Sequence, residues 1–345
     1  MLAQSHPGSL QYRRTLNRMG WSMLLFIALF DITSTISTSV DAIRTMIPSP
    51  LWHNILTAIY GIFSAICYMA PFFLTGTFYY AISRRARTER ASLEVNLPHE
   101  FPLLILAGMA VLTAGAYINS WFCSAIGYTI PDELVLAETY DDPTVVIMYM
   151  GVALAPAFAE EFLFRGVFYT NLRPYGRTQA ILISSLMFAL MHQNIGQLFY
   201  TFVAGIAMAL MYELTGSIWC SVFFHLFNNE MSVLSEVVYY GRGGEGIQPY
   251  LSILDGILFL LGVISIFLLI GYYKKQTADG NSHRLCGIFG ACNNTVMRFD
   301  RPLPASSVVR GVLCPGMIVF TVSTVALMCI TWLMLAIING GWLYG

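Results

Sequence analysis

The chain has 345 residues, of which 57% are hydrophobic and only 11% are charged. A water-soluble domain of this size carries about 25% charged residues, so the composition excludes an ordinary soluble protein and indicates a surface that faces lipid. The formal net charge is −1 and the basic residues form no helix face, which argues against a nucleic-acid partner. The seven cysteines lack paired spacing and indicate no disulfide framework.

Nine apolar segments follow one another along the chain. A helix that crosses a hydrocarbon core about 30 Å thick needs roughly 20 mostly apolar residues. Segments that approach or exceed this length lie near residues 20–40, 54–82, 101–128, 144–171, 178–193, 196–214, 217–239, 251–273 and 316–338. The fifth and sixth are short and lie close together, which predicts a tight hairpin. We therefore expect an all-α polytopic membrane protein with about eight or nine transmembrane helices around a central helical core.

The basic residues fall on alternate loops. If the N-terminus is cytoplasmic, all of the 18 Lys and Arg residues except Arg44, Arg165 and Arg242 lie in cytoplasmic segments, and the acidic stretch 132–142 lies outside. Cytoplasmic loops of membrane proteins carry an excess of Lys and Arg. This distribution predicts nine spans, with the N-terminus in the cytoplasm and the C-terminus outside.

The fourth segment contains three ionisable residues, which are costly inside a membrane and mark functional sites. Glu161 and Arg165 are four residues apart, so they share a helix face and are able to pair. Glu160 is rotated by about 100° from Glu161 and has no such local partner. The spacing therefore predicts a structural role for Glu161, and a role as general base and acid for the desolvated Glu160.

Two further pairs of residues lie in the fifth and seventh segments. Phe188 and His192 end the fifth segment, and His225 and Asn229 share one side of the seventh. An imidazole N–H and an amide N–H that converge on one point suit a developing oxyanion. A rise of about 1.5 Å per residue places Glu160, His192, His225 and Asn229 in a layer about 10 Å thick near the membrane interior. We expect these four side chains to meet.

Three motifs carry a family resemblance: EExxxR at 160–165, FxxxH at 188–192 and HxxxN at 225–229. Their order and spacing resemble the CAAX-processing and bacteriocin-processing (CPBP, or Abi) intramembrane endopeptidases. The sequence Thr-Gly-Ser-Ile-Trp at 215–219 is similar to the bacterial branch of that family. The resemblance covers about residues 140–235, which is less than a third of the chain.

The resemblance implies a role for each motif residue. Glu160 and His192 would activate a water molecule for attack on a peptide carbonyl, and His225 with Asn229 would stabilise the oxyanion. The supporting residues would be Glu161, Arg165 and Phe188.

The chemistry of these residues favours no cofactor, although zinc is an alternative. A glutamate with two histidines is a known hydrolytic zinc set, and the ligands would then be Glu160, His192 and His225. Against zinc, no HExxH motif places two ligands on one helical turn, and Asn229 is a poor zinc ligand. We therefore expect a metal-free, glutamate-activated water.

The chain divides into three predicted parts. Residues 1–140 form N-terminal transmembrane helices, 141–245 the catalytic core, and 246–345 C-terminal transmembrane helices. The last part includes a cytoplasmic insert at about 274–312, predicted to be an irregular loop because it shows no helical or strand period. In this insert, the spacing of His283, Cys286 and Cys292 matches no zinc pattern.

The resemblance implies hydrolysis of a membrane-associated peptide or protein substrate, such as a CAAX-like tail or a leader peptide, by an enzyme in contact with membrane lipid. The bacterial character of the motifs implies a bacterial plasma membrane. Two other function classes stay open. One is a non-proteolytic scaffold or bacteriocin-immunity protein of the same family. The other is a proton-coupled transporter, although the sequence shows neither repeated halves nor broken helix pairs.

Overall fold

The computed structural model describes residues 8–46, 50–84, 88, 90–91, 93–128, 142–278 and 303–338, which are mostly helical and contain no strand. We number the helices in chain order: α1 Ser9–Thr45, α2 Pro50–Ile82, α3 Phe101–Ala125, α4 142–175, α5 Arg177–Met191, α6 Leu198–Thr215, α7 Ile218–Val238, α8 Gln248–Ala278, α9 Ala305–Val312 and α10 Pro315–Ile338. The expected all-α polytopic architecture is confirmed.

Seven helices in the described part of the chain are long and apolar enough to cross a membrane, namely α1, α2, α3, α4, α6, α8 and α10. Each of the nine predicted segments corresponds to a helix, but two of them do not meet this standard. Helix α5 has 15 residues and is therefore about 22 Å long. Helix α7 is continuous over 21 residues, but polar residues such as His225 and Asn229 interrupt its apolar run. The eighth and ninth transmembrane spans stay predictions, and so does the orientation of the chain in the membrane.

The outer helices present apolar side chains outward. Ile55, Ile59, Ile62 and Ile66 recur every three or four residues along α2, and each is about half exposed or more. The exposed stripe on α8 follows the same period and contains Ile253, Ile257, Leu260, Ile264 and Phe267. Water-soluble proteins rarely expose such continuous apolar stripes to solvent. They are the lipid-facing surface of an integral membrane protein.

Helix α1 begins at Ser9, well before the predicted segment at 20–40. Its first half is held by tertiary contacts, because Tyr12, Leu16 and Met19 are fully buried. A Cβ atom on Gly20 would lie 2.2 Å from the Gly316 carbonyl carbon, so only glycine permits this close crossing of α1 and α10. These contacts extend the helix beyond the apolar stretch visible in the sequence.

The prediction that residues 274–312 form an irregular loop is wrong at both ends of this range. Helix α8 continues to Ala278, and α9 occupies Ala305–Val312. Gly311 of α9 packs against Tyr12 of α1, so burial stabilises a helix that the sequence pattern did not indicate. Residues 279–302, which include His283, Cys286 and Cys292, lie outside the described residues.

Helices α5 and α6 pack together as the predicted hairpin. In the connecting segment, the side chain of Asn194 accepts a hydrogen bond from the Gly196 N–H at 2.8 Å. Asn119 of α3 holds the same segment, since its amide donates to the Gly196 carbonyl and accepts from the backbone N–H of Tyr200 at 3.3 Å. The hairpin therefore has a fixed position against α3.

A buried ion-pair network ties α4, α5 and α6 together near the α4–α5 turn. Glu213 of α6 contacts Arg173 at 2.8 Å and Arg177 at 2.7 Å, and it accepts a hydrogen bond from the Tyr169 hydroxyl. Because Glu213 is only 3% exposed, its charge requires these partners. Sequence motifs gave this glutamate no role, and the structure assigns it to helix packing.

Candidate active site

Helix α4 is irregular on both sides of the paired glutamates. It has π-helical turns over Tyr149–Leu154 and Phe162–Tyr169, and an α-helical turn over Ala155–Glu161 between them. Pro156 lies near the start of that turn and has no N–H to donate. A π turn changes the angle at which the following side chains project, and such turns occur frequently at functional sites.

Glu161 and Arg165 form the predicted pair. Nη1 of Arg165 lies 2.7 Å from Oε1 of Glu161, and both side chains are almost completely buried. Nη2 of Arg165 donates to the Gly205 carbonyl at 3.0 Å, and its guanidinium lies over the Phe188 ring, 4.7 Å from the centroid. The supporting residues therefore connect α4 with α5 and α6.

Glu161 has a second set of contacts that its spacing to Arg165 did not reveal. Its Oε1 lies 3.1 Å from Nδ1 of His225, and its Oε2 accepts a hydrogen bond from the Ser221 hydroxyl. A carboxylate beside Nδ1 places a proton on that nitrogen, so Nε2 is the ring nitrogen left for other partners. Glu161 thus fixes the orientation of His225 as well as the position of Arg165.

Glu160 is also buried, with one oxygen bound and one oxygen without a partner. Oε1 accepts a hydrogen bond from the hydroxyl of Tyr68 on α2. Oε2 makes no hydrogen bond among the described residues and lies 3.8 Å from Nε2 of His225. The sequence predicted no local partner for Glu160, and the partner of Oε1 is not a local one. Tyr68 lies 92 residues earlier in the chain, beyond the reach of any local spacing rule.

His192 lies at the end of α5 with a defined tautomer. Its Nδ1 is 2.9 Å from the carbonyl oxygen of Phe188. A carbonyl only accepts hydrogen bonds, so Nδ1 carries the proton and Nε2 of the neutral ring presents a lone pair. The Phe188 ring contacts the imidazole edge to face, with centroids 4.9 Å apart. His192 is therefore arranged to accept a proton through Nε2.

Asn229 is held by hydrogen bonds on both sides of its amide. Its Nδ2 donates to the backbone carbonyl of Val152 at 3.1 Å, and its Oδ1 accepts from Nδ2 of Asn228 at 3.1 Å. One N–H of Asn229 is thus occupied by α4.

A cavity of about 480 Å³ brings the four candidate catalytic residues together. Glu160, His192, His225 and Asn229 all line it, as expected from their shared depth. Phe188 lines the same cavity, whereas Glu161 and Arg165 lie behind its wall. The cavity therefore separates the residues that are able to touch a substrate from those that support them.

Several site residues were missed by sequence reasoning, namely Tyr68, Tyr200, Ser221 and Asn228. Ser221 precedes His225 by four residues, so the rule used for the other pairs would have placed it on the same face. Asn228 is adjacent to a motif residue. Tyr68 and Tyr200 belong to other helices, and no pattern in the sequence marks them.

The described residues contain no group of three or more His, Cys, Asp or Glu side chains placed to hold a metal ion. The alternative zinc set of Glu160, His192 and His225 is therefore not gathered into a coordination site in this arrangement. The five cysteines in the described ranges are free thiols that join no such group. Metal-free catalysis stays a prediction, which metal analysis will test.

Comparison with protein families finds one match in the same region. Residues 142–231 match the family described as type II CAAX prenyl endopeptidase Rce1-like. Neither comparison with curated proteins nor comparison with solved structures found a match. The matched segment contains α4 to α7 almost entirely, and with them all four candidate catalytic residues. Residues 142–231, about a quarter of the chain, are thus similar to CAAX-type membrane proteases, and they are the segment in which the CPBP-like motifs lie.

Proposed function

We propose that the protein is an intramembrane endopeptidase that hydrolyses a peptide bond in a membrane-associated polypeptide. The observation that carries this proposal is the composition of the cavity wall. A buried carboxylate oxygen without a partner, a histidine lone pair and an amide donor line one space of about 480 Å³. These are the groups that peptide-bond hydrolysis requires: a proton acceptor for water and a donor for the oxyanion.

In the proposed reaction, Oε2 of Glu160 and Nε2 of His192 hold the attacking water. As the water oxygen bonds to the carbonyl carbon, its proton passes to Glu160, and the carbonyl oxygen becomes an oxyanion. The C–N bond then breaks as the proton is delivered from Glu160 to the leaving amine. No other reactant is needed. The hydrogen bond from Tyr68 holds Oε1 of Glu160, so that Oε2 is the reacting oxygen.

The oxyanion is stabilised by His225 and Asn229. A donor on the cavity side of His225 requires a proton on Nε2, and since Nδ1 faces Glu161 this form is the imidazolium. The carboxylate of Glu161 provides the matching negative charge. Asn229 has a second N–H besides the one bound to Val152. Both residues thus act when the negative charge develops.

The proposed substrate is a CAAX-like tail or a leader peptide held at the membrane. The cavity lies among apolar helices, and most of its lining is apolar or uncharged, with Glu160 and Glu236 as its acidic residues. Such a space accepts an extended peptide that enters from the membrane. We further propose that the protein resides in a bacterial plasma membrane, because the sequence at 215–219 resembles the bacterial branch of the family.

The test is a comparison of membranes that contain the wild-type protein or Glu160→Gln at equal abundance. Mass spectrometry of peptide termini should reveal a new terminus only with the wild type. If no terminus differs while both forms confer the same cellular phenotype, the protein acts as a scaffold or immunity protein, and the proteolytic function is contradicted.

A further inference from the structure

A chain of hydrogen bonds runs along the cavity wall from α6 to α4. The Tyr200 hydroxyl contacts Oδ1 of Asn228 at 2.9 Å, Nδ2 of Asn228 contacts Oδ1 of Asn229 at 3.1 Å, and Nδ2 of Asn229 contacts the Val152 carbonyl at 3.1 Å. All four residues line the cavity. Only Asn229 belongs to a catalytic motif.

The direction of this chain is fixed by its last member. The Val152 carbonyl only accepts hydrogen bonds, so the Asn229 atom that faces it must be the amide nitrogen. The other side of the Asn229 amide is then an oxygen, which requires a donor from Asn228. The oxygen of Asn228 in turn requires a donor, which the Tyr200 hydroxyl provides. One backbone carbonyl thus sets the orientation of two amides.

Pro156 explains why the Val152 carbonyl accepts from a side chain. In an α-helix the carbonyl of Val152 would accept the N–H of the residue four positions later. That residue is Pro156, which has no N–H. The carbonyl lies in the π-helical turn Tyr149–Leu154 and is reached by Asn229 from α7. The irregularity of α4 therefore creates the anchor for the Asn229 amide.

We infer that Asn228 and Tyr200 are positioning residues that hold the Asn229 amide with its nitrogen toward the reacting peptide carbonyl. Without Asn228, the Val152 carbonyl is the one remaining member of this chain that opposes a turned-over Asn229 amide, so the amide orientation is held by one hydrogen bond instead of two. An amide that turns over would present an acceptor, which repels an oxyanion. This inference rests on the proposed function, and it extends the oxyanion site beyond the HxxxN motif to α6.

The test is a double-mutant cycle on the purified full-length protein in lipid vesicles. The probe is a palmitoylated fluorogenic peptide that contains the sequence cleaved by wild-type membranes. Asn229→Ala should lower kcat by about 100-fold, the usual effect of losing one oxyanion donor. Asn228→Ala and Tyr200→Phe should each lower kcat by about tenfold with KM nearly unchanged, because the donor acts in the transition state.

The decisive measurement is the effect of Asn228→Ala and Tyr200→Phe on a protein that already carries Asn229→Ala. Positioning residues should cause no further loss there, since the group that they position is gone. Tyr117→Phe, which removes an exposed hydroxyl on α3, serves as the matched control and should leave kcat unchanged.

The outcomes separate the two proposals. A wild-type protein that fails to cleave any peptide contradicts the proteolytic function, and the inference falls with it. If the wild type is active, two results overturn the inference alone. In the first, Asn228→Ala and Tyr200→Phe keep full kcat. In the second, they lower kcat by the same factor in the Asn229→Ala protein as in the wild type. The melting temperature of every variant should stay close to that of the wild type. If Asn228→Ala unfolds, Tyr200→Phe still tests the inference, because it removes one hydroxyl and preserves the shape of the side chain.

Discussion

The two adjacent glutamates differ in what their oxygens contact. Both oxygens of Glu161 are occupied, by Arg165 and His225 on one side and by Ser221 on the other. Glu160 is bound by Tyr68 through Oε1, and its Oε2 makes no hydrogen bond among the described residues. Burial makes every one of these contacts strong, because water does not compete for them. The proposed reactive carboxylate and the proposed structural carboxylate thus differ in their partners.

Glu160→Gln and Glu161→Gln should therefore fail in different ways. Glu160→Gln keeps the shape but removes the proton acceptor, so peptide cleavage should fall by about 1,000-fold, while the folded protein persists. Glu161→Gln leaves Arg165 buried without its counter-charge, which should destabilise the protein by about 3–5 kcal/mol. Activity assays and thermal unfolding of both variants check this. Equal activity loss at equal stability would contradict the division of roles.

Tyr68 should affect turnover although it lies outside the matched segment. Tyr68→Phe removes the hydroxyl that binds Oε1 of Glu160 and keeps the ring packed against Phe72. Hydrogen bonds to charged groups contribute about 1.5–3 kcal/mol, so we expect kcat to fall at least about tenfold. Steady-state kinetics measure this, with Tyr117→Phe as the exposed control. Unchanged kinetics would show that Glu160 is held by other contacts.

Metal content gives a separate test of the residues. If Glu160 activates water directly, the purified protein should contain no stoichiometric zinc and keep its activity after exhaustive chelation. Elemental analysis and activity assays measure both quantities. Stoichiometric zinc that is lost in both His192→Ala and His225→Ala would instead establish the zinc set.

At the level of single elements, α4 combines irregular turns with a fixed attachment at its end. The π-helical turns flank Glu160 and Glu161, and the 3-10 turn Arg173–Tyr175 ends the helix. There the Glu213 network joins α4 to α5 and α6. These ion pairs fix the position of the C-terminal end of α4, although the middle of the helix is irregular.

Glu213→Gln should thus destabilise the protein without altering the chemistry. The substitution leaves Arg177, whose side chain is 8% exposed, without its carboxylate partner, and loss of one partner in a buried ion pair costs about 3–5 kcal/mol. The melting temperature should fall, whereas kcat per folded molecule should be preserved, because Glu213 does not line the cavity. A large loss of kcat at unchanged melting temperature would contradict this assignment.

At the scale of the whole molecule, the candidate catalytic residues lie on α4, α5 and α7, and residues of α2, α3 and α6 hold them or the segments next to them. Helix α2 provides Tyr68, and α3 provides Asn119, which fixes the hairpin. Both helices lie outside residues 142–231. The site is therefore a product of the helix bundle and is not contained in the matched segment alone.

The predicted orientation is testable through loops on either side of α3. Reporter fusions or cysteine-accessibility probes at Glu89 and Asp141, both outside the described residues, should report opposite sides of the membrane. The alternation of arginine-rich and acidic loops requires the Glu89 side to be cytoplasmic. Labelling of both positions from the same side would overturn the scheme.

The sequence by itself predicted nine of the ten described helices and the pairing of Glu161 with Arg165 within one of them. A rise of about 1.5 Å and a turn of about 100° per residue are local properties, so the spacing of Glu161 and Arg165 predicted their pairing. The same regularity predicted a common depth for four residues, namely Glu160, His192, His225 and Asn229. Apolar length likewise predicted nine helical segments, and each is present.

Only the tertiary structure decided which helices meet and at what angle. The contacts of Glu160 with Tyr68 and of Asn228 with Tyr200 join residues far apart in sequence, and such contacts depend on how side chains of different helices fill shared space. Helix α9 shows the same dependence on packing, since its Gly311 lies against Tyr12 of α1. Periodicity shows which face of a helix is polar, but packing alone selects the partner that it faces.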